Sequence, residues 1–187
     1  MVSIEPYGAE IEEIFYSSVK NQFDETEKTN IVSGCKKFFP PDFFVTEQDF
    51  KQLVLAPYSE LKRVYEYIKQ DENPMLQECF PLNANGKREI KEKYKKYCEK
   101  FSKVTQTIAG DKKVNVRIVH AAKITVCPYC NRDYINSRSK VSAGAQLDHF
   151  YPKSLYPFFT LSLYNLIPVC GTCNLVKRDN KKIFASP

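Results

Sequence analysis

Four cysteines in the C-terminal part of the chain have the spacing of metal ligands. They form two Cys-x-x-Cys pairs, Cys127 with Cys130 and Cys170 with Cys173, separated by 39 residues. Two residues between thiolates allow both sulfur atoms to bind one ion at about 2.3 Å, and two such pairs complete a tetrahedron. A redox role would need a thioredoxin-like βαβ context, which the sequence does not predict. The pattern therefore predicts a structural zinc ion, whose four thiolates leave no position for a catalytic water.

A histidine lies between the two cysteine pairs in a stretch that is rich in polar side chains. Residues 147–154 read Leu-Asp-His-Phe-Tyr-Pro-Lys-Ser and contain Asp148 and His149; Asn165 precedes Leu-Ile-Pro, and Asn174 directly follows the second cysteine pair. An unperturbed histidine has a pKa near 6.5, so it can take a proton from water at neutral pH as a general base should. A histidine beside an aspartate is, without further context, more often a surface or core residue than a catalytic one.

The stretch from about residue 125 to 184 resembles the HNH family of ββα-metal nucleases. The resemblance rests on an Asp-His pair on a predicted strand, a Pro-x-Ser after it, an Asn-Leu-x-Pro strand that leads into a cysteine, and a polar residue at the start of the final helix. Their combination between flanking Cys-x-x-Cys pairs is far more specific than any one element. The family's third signature position is often a second histidine; here it is Asn174, a common variant that would supply an oxygen ligand.

The resemblance implies a role for each polar residue. His149 would be the general base, and Asp148 and Asn174 would hold a catalytic Mg²⁺ or Mn²⁺ ion through oxygen atoms. Asn165 would steady the loop that carries His149 and orient its ring, without touching the metal. Phosphate contacts are expected from three nearby basic residues, Lys153, Lys177 and Arg178.

The same motifs resemble, more narrowly, bacterial HNH proteins that occur with an ATPase partner in anti-phage systems of the Septu type and in some retrons. This similarity implies a DNA endonuclease in antiviral defence, with an ATPase docked on the N-terminal region. RNA is the less favoured substrate, because such a site contacts phosphate more than sugar. The alternative is a catalytically silent, zinc-stabilised module that binds nucleic acid or scaffolds a partner.

The position of the motif raises one geometric difficulty. Neighbours on a regular strand point to opposite faces, so Asp148 and His149 share a site only where a strand end opens into a loop. His120 has no comparable context and is expected to be structural. Four aromatic residues after His149 are expected to pack in the core rather than stack on bases: Tyr151, Tyr156, Phe158 and Phe159.

Charge divides the chain into two unlike parts. Residues 1–86 contain 8 Lys and Arg against 15 Asp and Glu, a net charge of −7, whereas residues 87–187 contain 20 against 7, a net charge of +13. The basic part is therefore the one expected to meet phosphates. The acidic part is expected to pack against it or to bind another protein. No apolar run approaches the roughly 20 residues of a membrane span and no secretory signal is visible, which favours a cytoplasmic protein.

The predicted fold is α+β, with a mainly helical region over residues 1–110 and a zinc-stapled ββα-metal module over residues 111–187. Thr46–Asp49 resembles a capping box, and Pro57–Ser59 is expected to restart a helix. A longer helix is predicted over about 88–106, with a run of lysines on its outer faces. That run is read as a solvated face, with contact to nucleic acid as the alternative. Val114, Val116 and Ile118 alternate like a short strand, although a helix is not excluded.

Overall fold

The structure, a computed structural model, describes residues 6–45, 48–70, 74–90, 92–135 and 144–177. About half of these residues are helical, and they also form two small antiparallel sheets. The predicted α+β class is therefore confirmed. None of the helices in these ranges is both long and apolar enough to cross a membrane.

The helices of the described residues come mostly before the strands that carry the polar motif. In chain order they are α1 (Ala9–Lys20), α2 (Glu25–Cys35), α3 (Asp49–Leu55), α4 (Tyr58–Gln70), α5 (Pro74–Cys79), α6 (Glu92–Glu99), α7 (Phe101–Gln106), α8 (Val114–Ala121) and α9 (Gly171–Lys177). One sheet pairs β1 (Ile108–Ala109) with β2 (Lys112–Lys113). The other pairs β3 (Gln146–His149) with β4 (Leu166–Val169).

Local sequence signals explain several helix boundaries. A capping box starts α2: the Asp24 side chain accepts from the Glu27 N–H, and the Glu27 side chain accepts from the Asp24 N–H. The predicted restart after Pro57 is found at Tyr58. The predicted capping box at Thr46 lies partly outside the described residues, and α3 begins at Asp49.

The single helix predicted over about 88–106 is instead two helices, α6 and α7. Arg88 is not helical because it pairs with Leu82 in an isolated β-bridge, and its N–H donates to the Ser154 carbonyl at 2.7 Å. Lys100 separates the two helices. The break lets Tyr97 stay in the core while Phe101 turns towards β3.

The strand predicted over Val114–Ile118 is wrong, and the helical alternative is right. These residues form α8, which packs against α1 and α7. Val114, Val116 and Ile118 are all buried, so their alternation reflects a helix that is covered on more than one side. Tertiary burial here overrides the strand preference of β-branched residues.

One hydrophobic core joins the N-terminal helices to the polar motif. The Phe38 and Phe158 ring centroids lie 5.1 Å apart, and the Ser162 hydroxyl donates to the Leu53 carbonyl at 3.0 Å. The boundary predicted between residues 110 and 111 falls in the turn of the β1–β2 hairpin, and described residues on both sides of it belong to the same core. The acidic region therefore packs against the basic one.

A tight contact between α2 and α6 should make Gly34 intolerant of a side chain. A Cβ atom at Gly34 would overlap the hydroxyl and ring of Tyr94, and this ring is buried against Phe80 with centroids 4.6 Å apart. We expect Gly34→Ala to lower the free energy of unfolding by about 1–3 kcal/mol, measured by urea denaturation. Gly8→Ala is the control, because a Cβ there meets nothing within 4 Å. Equal stability of the two variants would contradict the packing.

Candidate functional site

The four predicted zinc ligands lie together. The Sγ atoms of Cys127, Cys130, Cys170 and Cys173 are all within 4.8 Å of one another. The Cys130 and Cys170 sulfurs are 3.9 Å apart, close to the edge of about 3.8 Å in a tetrahedron with zinc–sulfur distances of about 2.3 Å. This four-cysteine cluster can hold a zinc ion, as the spacing predicts.

Two short segments present the thiols of the cluster. In the first, Val126 bridges to Tyr134, the Cys127 N–H donates to the Asp133 carbonyl at 2.8 Å, and Asn131 takes the left-handed backbone conformation with φ 53°. Backbone hydrogen bonds from this turn lower the pKa of the Cys130 thiol to about 7.

The second segment is the start of α9. Here the Cys173 N–H donates to the Cys170 sulfur at 3.4 Å, and the Cys170 N–H donates to the Cys127 sulfur at 3.4 Å. Backbone N–H groups directed at sulfur favour thiolates, which are the form that binds metal, although burial on balance raises the pKa of the Cys170 thiol to about 11. The cluster therefore ties the start of α9 to the first cysteine segment.

A cleft of about 590 Å³ opens beside the cluster, between β3, α9 and the start of α7. Asp148, His149, Asn174 and Lys153 all contribute to its wall, together with Phe101. The structure thus brings both proposed cation ligands and the proposed base to one cleft, although they come from two different elements. The motif also lies at the end of β3, where the chain leaves the strand after His149.

The His149 ring is buried and held in one orientation. Its Nε2 lies 3.0 Å from the Thr160 carbonyl, and its centroid lies 4.5 Å from that of Phe101. A carbonyl only accepts, so in the neutral ring Nε2 carries the proton and Nδ1 carries the lone pair. Burial lowers the pKa of His149 to about 4, which keeps the ring neutral at neutral pH.

The Asp148 carboxylate is also held, but through one oxygen. Its Oδ2 accepts from the Tyr129 hydroxyl at 2.7 Å and from the Lys177 ammonium. Burial, and secondly the charge of Asp148, raise the pKa of Tyr129 well above its usual range, so the phenol stays protonated and donates. Within the described residues, Oδ1 of Asp148 accepts no hydrogen bond.

The Asn174 amide faces the cleft from the middle of α9. Its Nδ2 donates to the Gln146 side-chain oxygen at 2.7 Å, which leaves its carbonyl oxygen as the atom available to a ligand. An aspartate oxygen and an amide oxygen are hard donors of the kind that Mg²⁺ and Mn²⁺ bind. The two side chains thus offer oxygen donors of the class that such cations prefer.

Asn165 lies behind the cleft and is fully buried. Its side-chain oxygen accepts from the Tyr151 N–H at 2.8 Å, and its Nδ2 donates to the Tyr151 and Phe159 carbonyls at 3.1 Å each. These bonds join the loop after His149 to the segment that ends in Thr160. Asn165 is thus placed to fix the backbone on both sides of the His149 ring.

Lys177 requires a correction to the sequence prediction. It was expected to contact phosphate, but its side chain is fully buried, and its ammonium donates to the His149 and Phe150 carbonyls at 2.7 and 3.1 Å as well as to Asp148. An ammonium enclosed by these acceptors is not positioned to meet an external phosphate. Lys153 remains exposed at the cleft, and Arg178 lies outside the described residues.

The remaining predicted residues lie away from the cleft. His120 is exposed on α8, with Nδ1 3.3 Å from the Lys112 ammonium. The aromatic residues after His149 belong to the core or pack against it, as expected: Tyr151, Tyr156, Phe158 and Phe159.

Sequence reasoning assigned no role at the site to four residues that touch it. Phe101 and Thr160 contact His149, Tyr129 contacts Asp148, and Gln146 contacts Asn174. The sequence offered a signal for two of them. Tyr129 lies between two cysteines, and Gln146 starts the strand that carries the Asp-His pair. Nothing in the sequence pointed to Phe101 or Thr160.

A comparison of the chain with protein-family models, curated proteins and solved structures finds no match.

Removing one thiol of the cluster should release its metal. We expect wild type to contain about one zinc ion per chain by elemental analysis, and Cys130→Ser to lose it, with a melting temperature lower by about 10 °C or more. Cys98→Ser is the matched control, because Cys98 lies outside the cluster. Full zinc content in Cys130→Ser would contradict the four-thiolate site.

The buried imidazole should resist protonation. In an NMR titration from about pH 7.5 to about pH 5, we expect the His149 signal to remain that of a neutral ring, because protonation sets in only near its pKa of about 4. The chain has only two histidines, so His120→Gln assigns the signals. A His149 midpoint near the ordinary value of about 6.5 would show that the ring is hydrated.

Proposed function

We propose that this chain is a metal-dependent endonuclease of the HNH type that hydrolyses phosphodiester bonds in DNA. The observation that carries the proposal is that Asp148, His149 and Asn174 line one cleft. The order of β3, β4 and α9, with a four-cysteine cluster at the start of α9, is also the order that the HNH resemblance implies. The role in anti-phage defence and the ATPase partner stay predictions from the sequence.

His149 acts as the general base in this proposal. Nδ1 takes a proton from the water that attacks phosphorus, while the Thr160 carbonyl holds the opposite edge of the ring. A bound phosphate places negative charge beside the imidazole, which raises its pKa from the low value of the free protein and makes it a better proton acceptor. The P–O bond to the leaving oxygen breaks as the water oxygen bonds to phosphorus, and the proton on Nδ1 then passes to solvent, since burial disfavours the charged ring.

Asp148 and Asn174 would hold the divalent cation through their oxygen atoms. The cation would supply positive charge to the phosphoryl oxygens and to the leaving oxygen. Lys153, which is exposed on the wall of the cleft, would meet a phosphate of the substrate strand. Phe101 packs against the His149 ring at an interplanar angle of 56° and would limit the access of bulk water to it.

A catalytically silent binding module is the second candidate, and one observation favours it. The Lys177 ammonium already neutralises the Asp148 carboxylate, so a cation there must share that carboxylate with another positive charge. The shared oxygen is Oδ2, however, which leaves the other oxygen to a ligand. A measurement of DNA cleavage separates the two candidates, because only the nuclease cuts its substrate.

A plasmid-nicking assay tests the enzyme directly. With Mg²⁺ or Mn²⁺ we expect wild type to nick supercoiled DNA, and His149→Ala to be slower by about 100-fold or more because the base is lost. His120→Ala, an exposed histidine away from the cleft, should keep the wild-type rate. Zinc content and circular dichroism of each variant confirm that it is folded.

Three results would contradict the proposal. Equal nicking rates for His149→Ala and wild type would rule out His149 as the general base. DNA binding without cutting by wild type would favour the silent module. Cutting of single- or double-stranded RNA but not of DNA, in parallel reactions, would overturn the substrate assignment.

A further inference from the structure

A lysine in the interior ties the last turn of α9 to β3. The side chain of Lys177 has no exposed surface, although a lysine is among the residues least often fully buried. Its three N–H donors meet the Asp148 carboxylate, the His149 carbonyl and the Phe150 carbonyl, with the Tyr129 hydroxyl at 3.3 Å. Such full pairing offsets the cost of desolvating the ammonium.

A tyrosine connects the same carboxylate to the cysteine cluster. Tyr129 lies between Cys127 and Cys130, so its backbone moves with two of the four thiols. Its hydroxyl donates to Asp148 Oδ2 at 2.7 Å. Tyr129 and Lys177 thus meet at one oxygen atom and approach it from two different segments.

We propose that Tyr129 and Lys177 are positioning residues that hold Oδ2 of Asp148 and so reserve Oδ1 for the catalytic cation. The inference rests on the proposed function, since it concerns the same site. Lys177 fixes the distance between β3 and α9, and Asn174 lies on the same helix between Lys177 and Cys173. The separation of the two proposed cation ligands is then set by the cysteine cluster at one end of α9 and by the ion pair at the other.

The arrangement has a consequence for the choice of metal. A carboxylate with one oxygen occupied by protein donors can offer only the other oxygen to a cation. Mg²⁺ and Mn²⁺ are commonly bound by few carboxylates and keep several waters, whereas Ca²⁺ takes more oxygen ligands and often a bidentate carboxylate. Tyr129 and Lys177 therefore favour the smaller ions at this cleft.

Direct measurement of Mn²⁺ binding tests the proposal without relying on activity. The signal of free Mn²⁺ in electron paramagnetic resonance gives the Kd for the zinc-loaded full chain. We expect Tyr129→Phe to raise this Kd by about tenfold or more, which is the usual effect of losing a partner that orients a metal ligand. Asp148→Asn identifies the site, because it should abolish the binding of that ion while its zinc content and circular dichroism show that it is still folded.

Tyr164→Phe is a closely matched control. The Tyr164 hydroxyl also donates to a carboxylate oxygen at 2.7 Å, that of Glu12, but away from the cleft. The two variants lose the same atom and the same kind of bond. We expect Tyr164→Phe to keep the wild-type Kd and both variants to keep their zinc.

Three other results of these Mn²⁺ and zinc measurements would each overturn the positioning role. Unchanged Mn²⁺ affinity in Tyr129→Phe, with binding abolished in Asp148→Asn, would overturn the positioning role and leave the proposed function standing. Loss of zinc from Tyr129→Phe would also overturn it, since the tyrosine would then support the cluster rather than the carboxylate. Absence of any Mn²⁺ binding that depends on Asp148 in wild type would overturn both proposals.

Discussion

The ion pair between Asp148 and Lys177 fixes the geometry of the candidate site. Both charges are buried, so each depends on the other and on the acceptors and donors around them. Removal of either partner would leave an uncompensated charge in the interior, at a cost of about 3–5 kcal/mol. The pair thereby holds the end of α9 against β3 and keeps Asn174 on the same cleft as His149.

Two other features hold the residues of the site in place, the cysteine cluster and the aromatic core. The cysteine cluster ties the start of α9 to the segment around Tyr129, and a zinc ion there would make this connection rigid. The aromatic core supports the other side, where Phe101 and Thr160 hold the His149 ring from outside the strand–strand–helix unit. Phe101 belongs to α7, so the helical region forms part of the wall of the cleft.

The residues whose chemistry is specific could be predicted from sequence, and so could Asn165, the one support that the HNH resemblance names. The other supports of the site could not. Cysteine spacing predicted the cluster because two Cys-x-x-Cys pairs without a thioredoxin-like context favour a shared metal ion over a redox role, and the Asp-His pair marked the cleft. The prediction for Lys177 was wrong because a charged side chain is expected at the surface. The role of Phe101 depends on the break at Lys100, which the helical periodicity around it does not reveal.

Anomalous diffraction from crystals of the zinc-loaded chain soaked in Mn²⁺ tests the central claim most directly, namely that Asp148 and Asn174 share a cation beside His149. We expect a manganese peak in the cleft within about 2–2.5 Å of Oδ1 of Asp148 and of the Asn174 amide oxygen, with Lys177 still bound to Oδ2. A cleft without manganese at saturating concentration, or an ion that touches neither side chain, would contradict it.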